Sequence, residues 1–339
     1  MRRAGWAAVL LAAAAALAPL PADFVERWYS EGIYRWIQPR MTSLSNLTAV
    51  PLFDVMCLSA IAVVAVATYR VIHVSGRPGA VRLLRNLLQA GAVAYLAFLA
   101  TWGLNYRRVP LTEKLSFDTA RVTPEAAGEL ATRTIVSLNR LYASSHARAT
   151  SLTDLATAFH DAERALGSSA RIVPGRPKTT VLLGGYFHYA SIAGMTNPFL
   201  LETLIAPDLI DVERPFVIAH EWGHLAGYAD ESEANYVAWL ACQRGDDRAQ
   251  YSAWLALLGD LRDFIPKSAP RLDPGPRGDL LALRYRYART SPMLRAAARE
   301  SYDKYLKANR VESGIESYDL VVRLILGTQL SAAGDPVLR

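Results

Sequence analysis

The hydrophobic pattern changes character about a third of the way along the chain. Before that point apolar residues come in long, nearly unbroken runs; after it they recur every three or four positions, with short strand-like stretches between. Residues 52–74, LFDVMCLSAIAVVAVATYRVIHV, and 87–104, LLQAGAVAYLAFLATWGL, each reach the length a helix rising about 1.5 Å per residue needs to cross a hydrocarbon core of ~30 Å. Residues 4–20 form a third apolar run. It reads as an uncleaved transmembrane helix, although MRR followed by an alanine-rich stretch also describes a secretory signal peptide. Downstream, Thr123-Pro124-Glu125 combines an N-cap, a first-turn proline and an acidic group, and predicts a helix to about residue 142. A second helix is expected over 151–166, stopped by Gly167. TTVLL at 179–183 is strand-like, and LLETLIAPDL at 200–209 is a weaker strand. Residues 265–278 form a Pro/Gly-rich loop, followed by helices opened by Ser291-Pro292 and near Ser317. The expected architecture is N-terminal transmembrane α-helices in a membrane region (1–104), followed by a mostly helical α+β domain (105–339).

Charge then sets an orientation, because short cytoplasmic loops carry the excess of Lys and Arg. Arg2 and Arg3 precede the first run, and Arg70, Arg77, Arg82 and Arg85 crowd the connection between the second and third. Asp23, Glu26 and Glu31 offset the arginines between the first and second. The N-terminus and the Arg77 loop are therefore expected inside, and everything from about Asn105 outside; Arg107 and Arg108 weigh the other way. The net charge of +6 is largely juxtamembrane arginine. No basic stripe interleaved with aromatics follows, so a nucleic-acid partner is not expected. The two cysteines, Cys57 in an apolar run and Cys242 in a predicted helix, make neither a disulfide framework nor a metal knuckle.

One stretch carries chemistry. FVIAHEWGHLAGYADESEANYVAWLAC, 216–242, sets two histidines and four acids in apolar surroundings, where an unpaired polar group costs roughly 2 to 7 kcal/mol. His220-Glu221-Trp222-Gly223-His224 is an HExxH sequence. On a helix, residues four apart share a face, so both imidazoles can converge on one metal while Glu221 reaches a water beside it. Pro215 suits the first turn of that helix, FVIA supplies its buried side and Gly227 can end it. Three acids compete for third ligand. Asp230 and Glu233 have the D-x-x-E spacing of a capping box. That leaves Glu231 as the preferred ligand, with Glu233 and Asp230 as alternatives, and places Asn235 on the same face to hold a ligand histidine from behind.

HExxH followed by Glu231-Ser232-Glu233-Ala234-Asn235 resembles the gluzincin zinc peptidases, whose third ligand is a glutamate on a following helix. Nearly the whole chain also resembles a bacterial membrane-protein family known as domain of unknown function 3810. The matching segments are WGLNYRRVPL, GMTNPFLLE, HEWGHLAGYADESEANY and YDKYLKANRVESGIESY. Two departures stand out: the gap from His224 to Glu231 is short, and Asn235 stands where aspartate is commoner. The resemblance implies a zincin-like domain binding Zn2+ and acting on amides, with Glu221 as general base and zinc polarising the carbonyl.

Tyr318, Tyr228 and His188 are candidates to hold the oxyanion. A substrate polypeptide would add as a strand along the edge near 200–209, where Glu202 is either a substrate contact or a solvated strand residue. The expected function is a multi-pass membrane zinc peptidase, its C-terminal domain outside the cytoplasm, acting on polypeptide or envelope material. The competing expectation is an inactive, metal-stabilised sensor or assembly module.

Overall fold

The computed structural model describes residues 2–168, 171–309 and 321–339. Its N-terminal half follows the apolar runs. α1 (Arg2–Leu17) packs along α5 (Gly76–Thr101), and α4 (Leu52–Arg70) passes through a π-helical stretch, Val71–Ser75, into α5. Among the described residues, Leu52–Val74 and Pro78–Thr101 are helices long and apolar enough to cross a membrane, judged by length and composition. The apolar helix Arg3–Leu17 is shorter. The last of these helices departs from the expected 87–104. It starts at Gly76 and stops at Thr101, after which Gly103–Arg107 tightens into a 3-10 turn.

Between α1 and α4 lies helical structure that the apolar pattern does not announce: α2 (Ala22–Val25), a π-helical Glu26–Ile33 and α3 (Tyr34–Asn46). Its buried stripe is polar. Tyr34 donates to the Leu225 carbonyl at 2.9 Å, Gln38 to Val173 at 2.8 Å and Thr42 to Leu201 at 2.9 Å. These bonds reach across 191, 135 and 159 residues, so the segment that the sequence groups with the membrane region packs on the C-terminal domain.

In that domain, caps fix the helices. After the short α6 (Leu111–Lys114), Thr123 accepts from the Ala126 N–H to open α7 (Pro124–Ala147), and Ser151 accepts from Asp154 to open α8 (Leu152–Ala165). Gly167, at φ +76°, follows α8 as expected. The sheet has three short strands in the order β1-β3-β2: β1 (Lys178–Thr179), β2 (Gly194–Asn197) and β3 (Glu202–Ile205), with α9 (Gly184–Ala190) between β1 and β2. β3 runs parallel to β1 and antiparallel to β2. The expected strand 179–183 is cut short because the Val181 and Leu182 N–H groups donate to Asp54, in the first turn of α4, instead of to a neighbouring strand.

α10 (Arg214–Leu225) and α11 (Glu231–Gln243) form a helical hairpin packed on α8 and on α12 (Asp247–Asp260), which in turn packs along α7. Trp222, Tyr236, Phe159 and Leu138 are fully buried at the centre, with Phe159 edge-on to Trp222. α13 (Pro274–Ala288) starts inside the expected loop 265–278, since Pro274 tolerates the first turn of a helix. α14 (Pro292–Ala308) and α15 (Val321–Gly327) complete the described helices. The helix start expected near Ser317 lies outside the described residues.

Candidate metal centre

The HExxH segment is helical, on α10, and its end is closed as the sequence suggests. Gly227, at φ +85°, takes the left-handed position; its N–H bonds to the His224 carbonyl and the Tyr228 N–H to Gly223, the paired bonds of a Schellman motif. Carbonyls of this last turn and of Gly227 also accept from residues far away in the chain. Trp102 Nε1 donates to His224 O at 2.9 Å, Tyr34 to Leu225 O, and Arg108 to Gly227 O at 3.0 Å. Arg108 also grips the Glu26 carboxylate through two nitrogens and lies over the Tyr228 ring. So WGLNYRR, read from sequence as the end of an apolar run, a pair of exit arginines and a matching segment, supplies Trp102 and Arg108 to the end of the HExxH helix.

The chain then reverses into α11. Asp230 is its N-cap, accepting from the Ser232 and Glu233 N–H groups. Glu233 turns elsewhere, its carboxylate accepting from the Leu111 N–H at 2.6 Å. Asp230 thus has the cap role expected of it, while Glu233 is held by Leu111 and is not the reciprocal arm of a capping box. Glu231 points at the histidines: its Oε2 lies 3.2 Å from His220 Nε2 and 3.6 Å from His224 Nε2. Ligand atoms of His220, His224 and Glu231 all fall within 4.8 Å of one another, so this trio could hold a metal ion. Close contact between the two helices permits this. A Cβ on Gly223 would meet the Ala234 backbone at 3.2 Å.

The donor chemistry fits a cation. His224 Nδ1 faces the Tyr228 carbonyl at 2.8 Å, which can only accept, so Nδ1 carries the proton and a neutral ring turns its Nε2 lone pair toward Glu231. His220 Nδ1 faces Asn235 Oδ1 at 2.7 Å in the same way. Two lone-pair nitrogens against a carboxylate call for positive charge between them, supplied by a proton or a metal. Electrostatics agrees. Burial alone would lower the His224 pKa, but the Glu231 charge raises it to about 9. Burial alone would raise Glu231, yet the charge of His224 and hydrogen bonds from both imidazoles hold it well below the usual carboxylate range.

Glu221 is buried, and that burial raises its pKa against the opposing charges of His220 and His224. Thr196, on β2, donates its hydroxyl within 2.9 Å of both the Glu221 carbonyl and Oε2. β2 can come this close because of Gly194, where a Cβ would stand 2.5 Å from Glu221 Oε1. Neither residue was singled out from the sequence as part of the site. A four-residue strand without apolar alternation carries no local signal, and only the GMTN of the family-matching segment marked it.

The other expected residues fall differently. β3, within the expected edge 200–209, is the central strand and fully buried; the edge beside Glu221 is β2. Glu202 is buried too, against Lys178 at 2.6 Å and the Leu52 and Phe53 N–H groups, and is neither solvated nor placed to touch a substrate. His188 pairs through Nδ1 with Asp208 at 2.6 Å, and Asp208 also meets Arg286. Tyr228 enters the site through its carbonyl, with its ring under Arg108. Tyr318 lies outside the described residues.

A family model described as "Protein of unknown function (DUF3810)" matches residues 29–326. The chain belongs to that family. No curated protein and no solved structure matches it. The matched region starts within the π-helical stretch before α3, so this family model takes in α3 and both long apolar helices together with the His220–Glu231 cluster.

Proposed function

We propose that this DUF3810 protein is a membrane-anchored, zinc-dependent peptidase or related amide hydrolase of gluzincin type, with a zincin-like domain facing polypeptide or envelope material outside the cytoplasm. The observation that carries the reading is the convergence of His220, His224 and Glu231 within 4.8 Å, with Glu221 one residue along the helix and fixed by Thr196. Two imidazoles and one carboxylate are a donor set that suits zinc and leaves a coordination position open. Zinc held there would act as a Lewis acid on a substrate carbonyl and on water.

The chain's own groups supply the rest. Asn235 and the Tyr228 carbonyl hold each imidazole so that Nε2 faces the centre. Glu221, its basicity raised by burial, would take the proton from the attacking water as the C–O bond forms and then pass it to the amine nitrogen, on which the C–N bond breaks. A substrate polypeptide would lie along the outer edge of β2, antiparallel or parallel to it, next to Glu221.

The test uses the full-length protein in detergent, with elemental analysis for metal and mass spectrometry of an unbiased peptide mixture for cleavage. Wild type and Glu221→Gln are expected to carry one zinc per chain, with cleavage at least ~100-fold slower in Glu221→Gln. His220→Ala and Glu231→Ala should lose the metal. Asn235→Ala should weaken zinc binding by about 10- to 100-fold in a chelator competition. Cleavage that survives both chelation and Glu221→Gln would defeat the mechanism, and stoichiometric iron would redirect it to redox chemistry. Bound zinc without turnover on any substrate would favour a metal-stabilised sensor or assembly module.

A further inference from the structure

α3 is built inside out. Tyr34, Gln38, Thr42 and Ser45 form one stripe at helical spacing, and it is this polar stripe that is buried. On the opposite side, Ile33, Trp36, Arg40, Leu44 and Leu47 recur at three- and four-residue steps, and all are exposed, Leu47 to 82%. Phe24 and Trp28 continue the exposed apolar face upstream. A helix that spends its hydrogen-bonding residues on the interior and turns tryptophan, leucine and isoleucine outward is not arranged for water.

What covers this face is indicated by what adjoins it. Glu202 accepts from the Leu52 and Phe53 N–H groups, at the start of α4, and Asp54 in the same turn holds Thr180 and the Val181 and Leu182 N–H groups. Val181, at the tip of that loop, is 84% exposed. The outer end of α5 is tied in as well, Thr101 donating to the Pro198 carbonyl at 2.7 Å. Exposed apolar residues continue past α3 through Leu47 and Val50 to α4, none of whose most apolar window is buried. Its two tryptophans carry arginines: the Arg40 guanidinium lies 4.1 Å from the Trp36 ring centre and that of Arg27 5.5 Å from Trp28. An aromatic ring beside a guanidinium suits the headgroup layer, where one part meets acyl chains and the other phosphate.

We infer that the outward face of residues 24–50, together with the Val181–Leu182 loop, lies in the headgroup layer of the bilayer that α4 and α5 cross. The inference rests on the membrane placement proposed above and adds a lateral lipid surface to the two spans. α3 is then an interfacial helix clamped between lipid and the metal-binding domain.

Depth measurements test it. The full chain with Cys57→Ser is reconstituted into phosphatidylcholine–phosphatidylglycerol vesicles and spin-labelled at Trp36→Cys, Leu44→Cys or Val181→Cys, with Ile61→Cys on α4 and Val136→Cys on α7 as references. Collision with oxygen is compared with collision with a water-soluble nickel chelate. Labels at 36, 44 and 181 should read between the two references, with nickel collisions severalfold below those at 136. Readings equal to Val136 overturn the inference while an acyl-chain reading at Ile61 leaves the spans intact. Exclusion of both reagents would show a protein partner or second copy on this face, and also overturns it. An aqueous reading at Ile61 would remove the membrane placement itself.

Discussion

Among single residues, Glu163 gives the sharpest test of the folded environment. It is 2% exposed on α8, and burial raises its pKa from 4.5 to about 8 despite opposing contributions from the Ile172 backbone, Arg171 and Arg35. Between about pH 4.5 and pH 8 the unfolded chain gives up a proton that the folded chain keeps, so Glu163 makes stability fall as pH rises through that window and level off above it. Glu163→Gln keeps the shape and removes the titration. Its apparent melting temperature should match wild type below pH 4.5 and exceed it above pH 8; equal pH profiles for both proteins would show that the carboxyl is ionised in the fold. At this scale the sequence is most legible where a residue's partner is close by. His220, His224 and Glu231 converge through one helix, one glycine turn and one N-cap, all within twelve residues of chain. Thr196, Trp102 and Arg108 act on the same helix from distances in sequence over which no spacing rule operates.

At the level of elements, the same divide separates what the pattern announces from what it hides. α7 and α8 follow from caps and apolar periodicity, both local. α3 was invisible because its polar stripe resembles a solvated face until the carbonyls of Val173, Leu201 and Leu225 are placed against it. The stretch 200–209, expected as an edge, instead holds the central strand β3, because β1 and β2, the latter too short to be legible, flank it on both sides, and Glu202, expected on a substrate or in solvent, is buried. In the fold that glutamate meets Lys178, both side chains at most 1% exposed, and Lys178 also donates to the Ser45 and Val50 carbonyls. This pair joins the sheet, the end of α3 and the start of α4 at one point. Lys178→Met should cost about 3 to 5 kcal/mol, since it leaves Glu202 charged and buried without its partner, and Lys178→Met with Glu202→Gln should recover part of that loss. Denaturation in detergent measures both. A single variant as stable as wild type would mean that the backbone N–H groups of Leu52 and Phe53 suffice for the carboxylate.

For the whole molecule, the contacts of α3 constrain topology independently of charge. Residues 22–46 pack on the C-terminal domain, so the two lie on one side of any bilayer that α4 and α5 both cross, and the π-helical junction Val71–Ser75 between α4 and α5 lies on the other. On the proposed membrane placement, the arginine distribution predicts that this junction faces the cytoplasm. Reporter fusions should therefore divide: extracytoplasmic after Gly278, cytoplasmic when inserted near Pro78. A cytoplasmic reading at both positions would dissolve the two-span arrangement. The long reach of α3 also has a consequence in time. Tyr34 waits for Leu225, 191 residues later, and at about 5 to 20 residues per second that interval is roughly 10 to 40 s of synthesis. The inner stripe gains its acceptors in order, Gln38 with Val173, Thr42 with Leu201 and Tyr34 last with Leu225, whereas on the inferred placement Trp28, Trp36, Leu44 and Leu47 would meet the bilayer surface from the outset, so the newborn segment would be parked by its outer face while its inner one is claimed bond by bond.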